Sequence, residues 1–246
     1  MGEAVRIMFK AQMGRVWALC ALLSAVICVI ITNSVSERGA AALAQTGPAR
    51  PVLILDPGHG GLDGGAVSVT GTRESSINWQ ITARLYDLAR FMGMETVRTR
   101  DREEIEYPPE LKTVSAKKKW DTRERVGTAN GTGNGILISI HQNCFPGAGP
   151  RGIQVLYRDE EQSAALAEAL QRQLAAVAPG SEKRHAVRAG KDIYLMNHVT
   201  VPAVLVECGF LSNSAEAVLL ETSGHQKKIA VIIAAVYYGF TGDETA

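Results

Sequence analysis

Hydrophobic positions fall along this chain in two rhythms. Short unbroken apolar runs recur at "PVLIL" (51–55), "GILISI" (135–140), "GIQVLY" (152–157) and "AVLVE" (203–207), with the weaker "ETVRT" (95–99) between the first two. Runs of this length, bounded by Gly, Pro and charged residues, predict buried β-strands. Between them the apolar spacing lengthens to three and four. In 75–94, Ile77, Ile81, Leu85, Leu88 and Met92 form one stripe, and Ser75 or Ser76 is placed to cap it. Leu166, Leu170, Leu174 and Val177 do the same for a helix over 159–177, and Ile229, Ile232, Ile233 and Val236 for a closing helix over 225–240. Asn213 and Glu216 have capping-box spacing before a short helix. Residues 101–120 follow neither rhythm. They are charged, carry Pro108-Pro109 and Lys117-Lys118-Lys119, and predict a surface loop that turns helical near Asp121. No internal repeat interrupts the series. Strands alternating with helices predict an α/β domain with helices on both faces of the sheet.

The N-terminus has its own pattern. Arg6, Lys10 and Arg15 precede a mostly apolar, uncharged run from Val16 to Thr32. The run is long for a signal-peptide core and at the short limit for a spanning helix. With "ALA" at 42–44 as a cleavage motif, residues 1–44 read either as a signal peptide or as a membrane anchor plus linker. Both readings export residues 45–246, because the basic flank favours an inside N-terminus. The chain carries 26 Lys and Arg against 25 Asp and Glu. Four of the basic and two of the acidic residues precede residue 45, so residues 45–246 have a formal net charge of −1. That balance argues against nucleic acid as a partner. A composition of 46% hydrophobic and 21% charged residues is ordinary for one globular domain. Cys20 and Cys28 fall in the apolar run. Cys144 and Cys208 fall in the domain, where an exported location permits a disulfide but two small buried thiols are the favoured reading.

Candidate chemistry gathers where the strands end. His59 follows the first strand in "ILDPGHGGLDGG" (54–65), His141 follows the third in "SIHQN", Glu207 ends "AVLVE", and Glu74 opens the first helix. In open α/β sheets, sites lie beyond the carboxyl ends of strands. Two histidines and two carboxylates there supply three ligands for a catalytic zinc ion and one free carboxylate to move protons. The glycines let the loop fold His59 back over the strand end, and Asp56 and Asp63 can orient it from behind. A phosphate cradle fails in detail, since neither GxxxxGK[ST] nor a helix-opening GxGxxG is present. On spacing alone, a structural histidine in a turn stays open beside the metal site.

The stretches "ILDPGHGGLDGGAV", "RESSINW", "LISIHQN" and "PAVLVECGFLSN", in that order over about residues 51–240, resemble the zinc-dependent N-acetylmuramoyl-L-alanine amidases of bacterial cell walls. "KDIYLMNHVTVPAVLVECGFLSN" and the charged insertion are most similar to the sporulation, CwlD-type subgroup. The resemblance implies a three-layer α/β/α sandwich around a mixed sheet of about six strands. It implies His59, Glu74 and His141 as ligands of one Zn2+ and Glu207 as the catalytic carboxylate. The implied reaction is hydrolysis of the amide joining N-acetylmuramic acid to the L-alanine of the peptidoglycan stem peptide. In the sporulation subgroup the product passes to a muramic-acid deacetylase that forms muramic-δ-lactam in spore cortex. The implied location is the cell wall or the forespore intermembrane space, with an activating protein as a further partner. A non-catalytic wall-binding protein on the same fold would have lost a ligand or the base, and all four residues are present. A zinc peptidase acting elsewhere on the stem peptide is the remaining rival.

Strand alternation points Cys208 away from Glu207. Asn143 reads as a structural or second-layer residue of the His141 loop. Arg151, Arg188 and Lys191 are candidates to meet stem-peptide carboxylates. His185, His198 and His225 lie outside the motifs and read as surface or structural residues, and Lys117–Lys119 as a solvated face.

Overall fold

The computed structural model describes residues 50–243; the N-terminal signal or anchor expected over 1–44 lies outside the described residues. Among the described residues, no helix is long and apolar enough to cross a membrane. Six strands form one sheet: β1 (Val52–Pro57), β2 (Thr96–Arg98), β3 (Gly135–Asn143), β4 (Gln154–Tyr157), β5 (Val187–Arg188) and β6 (Ala203–Phe210). Their order is β2-β1-β3-β6-β4-β5. The first four in that order are parallel, β4 pairs antiparallel with β6, and β5 runs parallel to β4, so the sheet is mixed.

The apolar runs are unbroken because both faces of the central strands are covered. Leu53 and Leu55 of β1, Ile136, Ile138 and Ile140 of β3, and Val204, Val206 and Cys208 of β6 share one core. That core is packed by helices α1 (Glu74–Phe91), α3 (Glu161–Leu174) and α6 (Ser223–Asp243). Ile77, Ile81 and Leu85 of the predicted stripe are fully buried there, with Leu88 and Met92 at its margin. Each buried side chain of this size contributes about 1.5–3 kcal/mol. The alternate residues Ile54, Leu137 and Leu205 face a smaller core under α2 (Val114–Gly131) and the short α4 (Tyr194–His198). A further short helix, α5 (Ser214–Leu220), follows β6. Residues 50–243 thus form a three-layer α/β/α sandwich, as expected.

Several local expectations are corrected. Helix α1 starts at Glu74 with Arg73 as its N-cap residue and no side-chain cap; Ser75 and Ser76 lie inside the first turn. Helix α2 starts at Val114, not near Asp121, with Thr113 Oγ1 accepting from Ala116 N at 3.1 Å. Its buried positions are Asp121, Arg125 and Ala129, so it carries no apolar stripe for a pattern search to find. Asn213 does cap α5, accepting from Ala215 N and Glu216 N. Glu216 completes no capping box. Its carboxylate accepts from Gly152 N and Phe210 N, both at 2.8 Å, and ties β6 to the loop before β4. Cys208 is buried as expected, but Cys144 is exposed, and neither forms a disulfide. Of the lysine run, Lys118 Nζ reaches Asp63 Oδ1 at 2.7 Å and Lys117 lies over the Tyr107 ring at 5.2 Å. Lys118 and Lys119 are nonetheless exposed and Lys117 is half-buried, so the run is largely the solvated face expected, with one tie to the site loop.

Candidate metal centre

The smaller core changes character toward the carboxyl ends of the strands. On its face, Ile54 is followed by Asp56, Leu137 by Ser139 and His141, and Leu205 by Glu207. Parallel register places Asp56 beside Ser139 and His141 beside Glu207. One face therefore runs from hydrocarbon to titratable groups within two or three residue pairs. Alternation puts the intervening Cys208 on the opposite face, in the larger core.

His59 sits just past β1 at φ +59, the sole non-glycine residue with positive φ among the described residues. Its neighbours hold it there. Arg125 donates to the carbonyls of His59 and Pro57, and Gly58 N donates to Ile140 O. Two glycines are required by close approach. A Cβ on Gly58 would stand 2.2 Å from His141 Nε2, and one on Gly65 (φ +66) would stand 2.5 Å from Glu74 Oε2. The loop is glycine-rich because two site side chains occupy the space where its own would be.

His59, Glu74 and His141 converge. His59 Nε2 lies 3.2 Å from Glu74 Oε2, and His141 Nδ1 lies 3.0 Å from Glu74 Oε1. One ligand atom from each falls within 4.8 Å of the others. The opposite nitrogen of His59, Nδ1, meets Asp63 Oδ2 at 3.0 Å. Glu74 is almost fully buried and sits in a ring of donors: Gln142 N at 3.1 Å and Asn78 Nδ2 at 3.3 Å on Oε1, and Ala66 N at 3.0 Å on Oε2. Burial works to raise its pKa, but the bonds and charges of His141 and His59 outweigh it, and Glu74 is held well below the usual carboxylate range. Burial likewise opposes charge on His59, yet Asp63 and Glu74 raise its pKa to about 9. Asp63, bonded to His59 and Lys118, is held low against its own burial. A buried carboxylate between two imidazoles calls for positive charge, and this donor set can take it from a divalent cation as well as from protons.

Glu207 is the opposite case. Its Oε2 is buried and has no hydrogen-bond partner. Burial first, and the Glu74 charge after it, push its pKa up to about 7, against the pull of His141 and His59. His59, His141 and Glu207 border a cleft of about 290 Å3, whose walls include Asp121, Thr122, Arg125, Tyr194 and Leu195; Glu74 lies behind the two histidines.

Sequence reasoning missed Arg125, Asn78 and Gln142. Arg125, 5% exposed, bonds Asp121 Oδ2 at 2.7 Å and Asp56 Oδ1 at 3.4 Å besides the loop carbonyls. Asp56 therefore serves the loop through Arg125, Ser139 (2.6 Å) and Thr99 (2.7 Å), and does not touch the His59 ring. Asn78 bonds Gly58 O and Glu74, and Gln142 bonds Asn78. The one available signal was polar residues at buried positions of the pattern: Asn78 and Arg125 on helix faces, and Gln142 within strand β3. Asn143 closes β3, its carbonyl accepting from Leu211 N. Arg151, Arg188 and Lys191 lie outside the residues lining the cleft; Arg188 pairs with Asp159 at 2.7 Å on the surface. His198 bonds Tyr194 O and stacks on its ring, His225 is buried in α6, and His185 is exposed.

Comparison with known proteins agrees with this geometry. The N-acetylmuramoyl-L-alanine amidase family model matches residues 53–236. The germination-specific N-acetylmuramoyl-L-alanine amidase of Bacillus subtilis is 34% identical over 184 residues, covering 73% of this chain and 75% of that protein. The amidase LytC of the same organism is 28% identical over 74% of this chain, which spans only 34% of LytC. Among solved structures, the CwlD amidase of Clostridioides difficile, in complex with the GerS lipoprotein, superposes with a TM-score of 0.74 at 33% identity, over 78% of this chain and 99% of that one. Sequence, fold and site agree, and the chain belongs to the N-acetylmuramoyl-L-alanine amidase family.

Proposed function

We propose that this chain is a zinc-dependent N-acetylmuramoyl-L-alanine amidase that strips stem peptides from peptidoglycan during spore cortex maturation. The carrying observation is the pairing of a His59–Glu74–His141 donor set with Glu207, whose Oε2 is buried without a hydrogen-bond partner. His59 through Nε2, His141 through Nδ1 and Glu74 would hold the ion. Two neutral imidazoles and one carboxylate leave such an ion one net positive charge, and zinc bound there supplies Lewis acidity toward water and toward the amide carbonyl.

The protein's own groups do the rest. Asp63 fixes the His59 ring by accepting at Nδ1, which leaves Nε2 to face Glu74. Arg125 fixes the backbone of His59 and Pro57. Glu207 takes a proton from the attacking water as its oxygen bonds to the lactyl carbonyl carbon. It then delivers that proton to the alanine nitrogen as the C–N bond breaks. A carboxylate whose pKa lies near 7 is suited to both halves of this transfer.

The finer placement rests on the relatives. The name of the germination-specific amidase supports a role in spore cortex, and the resemblance of the motifs adds a muramic-acid deacetylase as the enzyme that takes up the product. The complex formed by the C. difficile amidase supports an activating partner protein here too. Export of residues 45–246, with residues 1–44 as leader or anchor, fits a wall substrate. The test is mass spectrometry of purified peptidoglycan incubated with the zinc-loaded full chain. Free stem peptides beginning at L-alanine, beside peptide-free muramic acid, are expected. Shortened stems still attached to sugar would transfer the assignment to a peptidase.

A further inference from the structure

The cleft over the centre continues past Thr122 and Tyr194. These two residues also wall a second hollow, of about 280 Å3, completed by Lys118, Lys119 and Arg123. Its charges are unlike those elsewhere around the site. Lys118 is occupied by Asp63. Lys119 and Arg123 are exposed and stand one turn apart on α2, a spacing at which like charges repel. Among the described residues, neither has an ion-pair partner. Tyr194 is 41% exposed, and its ring is fixed by a nearly parallel stack on His198, with centroids 3.7 Å apart. The hollow therefore offers two uncompensated cations and a rigid apolar face, directly off the cleft. That combination suits an anion carried on a partly apolar chain.

We propose that this hollow is a subsite for a carboxylate of the stem peptide, with Lys119 and Arg123 as the residues that select for it; the assignment rests on the amidase reading above. The chemistry of the substrate narrows the choice. The lactyl carboxyl of muramic acid is consumed in the scissile amide, so the anions near the cut lie on the peptide side. The Arg123 guanidinium can hold a carboxylate through two parallel N–H bonds, while Lys119 adds a mobile point charge. Arg151, Arg188 and Lys191, the candidates suggested by the sequence, line neither hollow nor cleft.

The test compares two muropeptides on the zinc-loaded full chain: one with free stem-peptide carboxyls, and one with all of those carboxyls amidated. The expected result is a KM about three- to tenfold lower for the free acid, a preference that weakens as salt rises. In the Lys119→Ala/Arg123→Ala double variant the preference is expected to vanish, through KM with little change in kcat. Equal KM values for the two substrates in the wild-type chain, or a preference that survives the double variant, would overturn the subsite while leaving the amidase reading intact. Failure of the wild-type chain to release any stem peptide beginning at L-alanine would overturn both.

Discussion

Glu74 and Glu207 are chemically identical and both adjoin His141, yet their surroundings have little in common. Glu74 stands at the first position of α1, within reach of two backbone N–H groups, Asn78 and two imidazoles. Glu207 interrupts an apolar strand, between His141 of β3 and Gln154 of β4, and has an oxygen with no donor. The first environment fixes negative charge, as the ligand role proposed for Glu74 requires. The second leaves ionisation nearly balanced, as the proton transfer proposed for Glu207 requires. The fold separates the roles by supplying or withholding N–H groups, with no change of residue type.

The comparison breaks most sharply at Glu207. Glu207→Gln is expected to retain its metal content and thermal midpoint while turnover falls about 10²- to 10⁴-fold. Activity above a tenth of wild type would remove Glu207 from proton transfer. Next comes Arg125, on which the donor-rich side depends. Arg125→Ala leaves Asp56 and Asp121 buried without their cation and is expected to cost about 3–5 kcal/mol in urea unfolding, with Arg125→Lys recovering part of it. A loss below 1 kcal/mol would show the network to be incidental. Asp63→Asn sharpens the ligand side alone: metal affinity, read by chelator competition, should weaken about 10- to 100-fold without unfolding.

The smallest effect is on acid stability. Burial raises the Asp56 pKa, but Arg125, Ser139 and Thr99 together lower it below its ordinary value. Its contribution is therefore complete above the unfolded-state pKa of about 4 and is lost as pH falls through the lower folded value. Between pH 7 and 3, Asp56→Asn should lose stability on acidification less steeply than wild type, measured by denaturant titration at each pH. Parallel slopes would contradict this.

The same contrast explains which parts were legible in the sequence. Strands β1, β3 and β6 are covered on both faces, so they read as apolar runs, and residues at their ends read as a site. His59, His141 and Glu207 were visible for that reason, and Glu74 because it opens the first helix. Helix α2 escaped because it meets the sheet through Asp121 and Arg125 instead of a leucine stripe, and its first two turns look like a charged loop. Strand β5 is two exposed residues long, below any periodicity. Asn78 and Gln142 are buried by the tertiary arrangement, and in sequence each resembles an ordinary solvated residue.

The register between β3 and β6 carries a consequence for quality control. His141 and Glu207 are neighbours through parallel pairing, which no hairpin can enforce, and His141 and Glu74 meet across 67 residues of chain. A slip of β6 by one residue would turn Glu207 into the larger core and present Cys208 at the cleft. A copy misassembled in this register would lack the juxtaposition of His141 and Glu207 on which the proposed cutting depends.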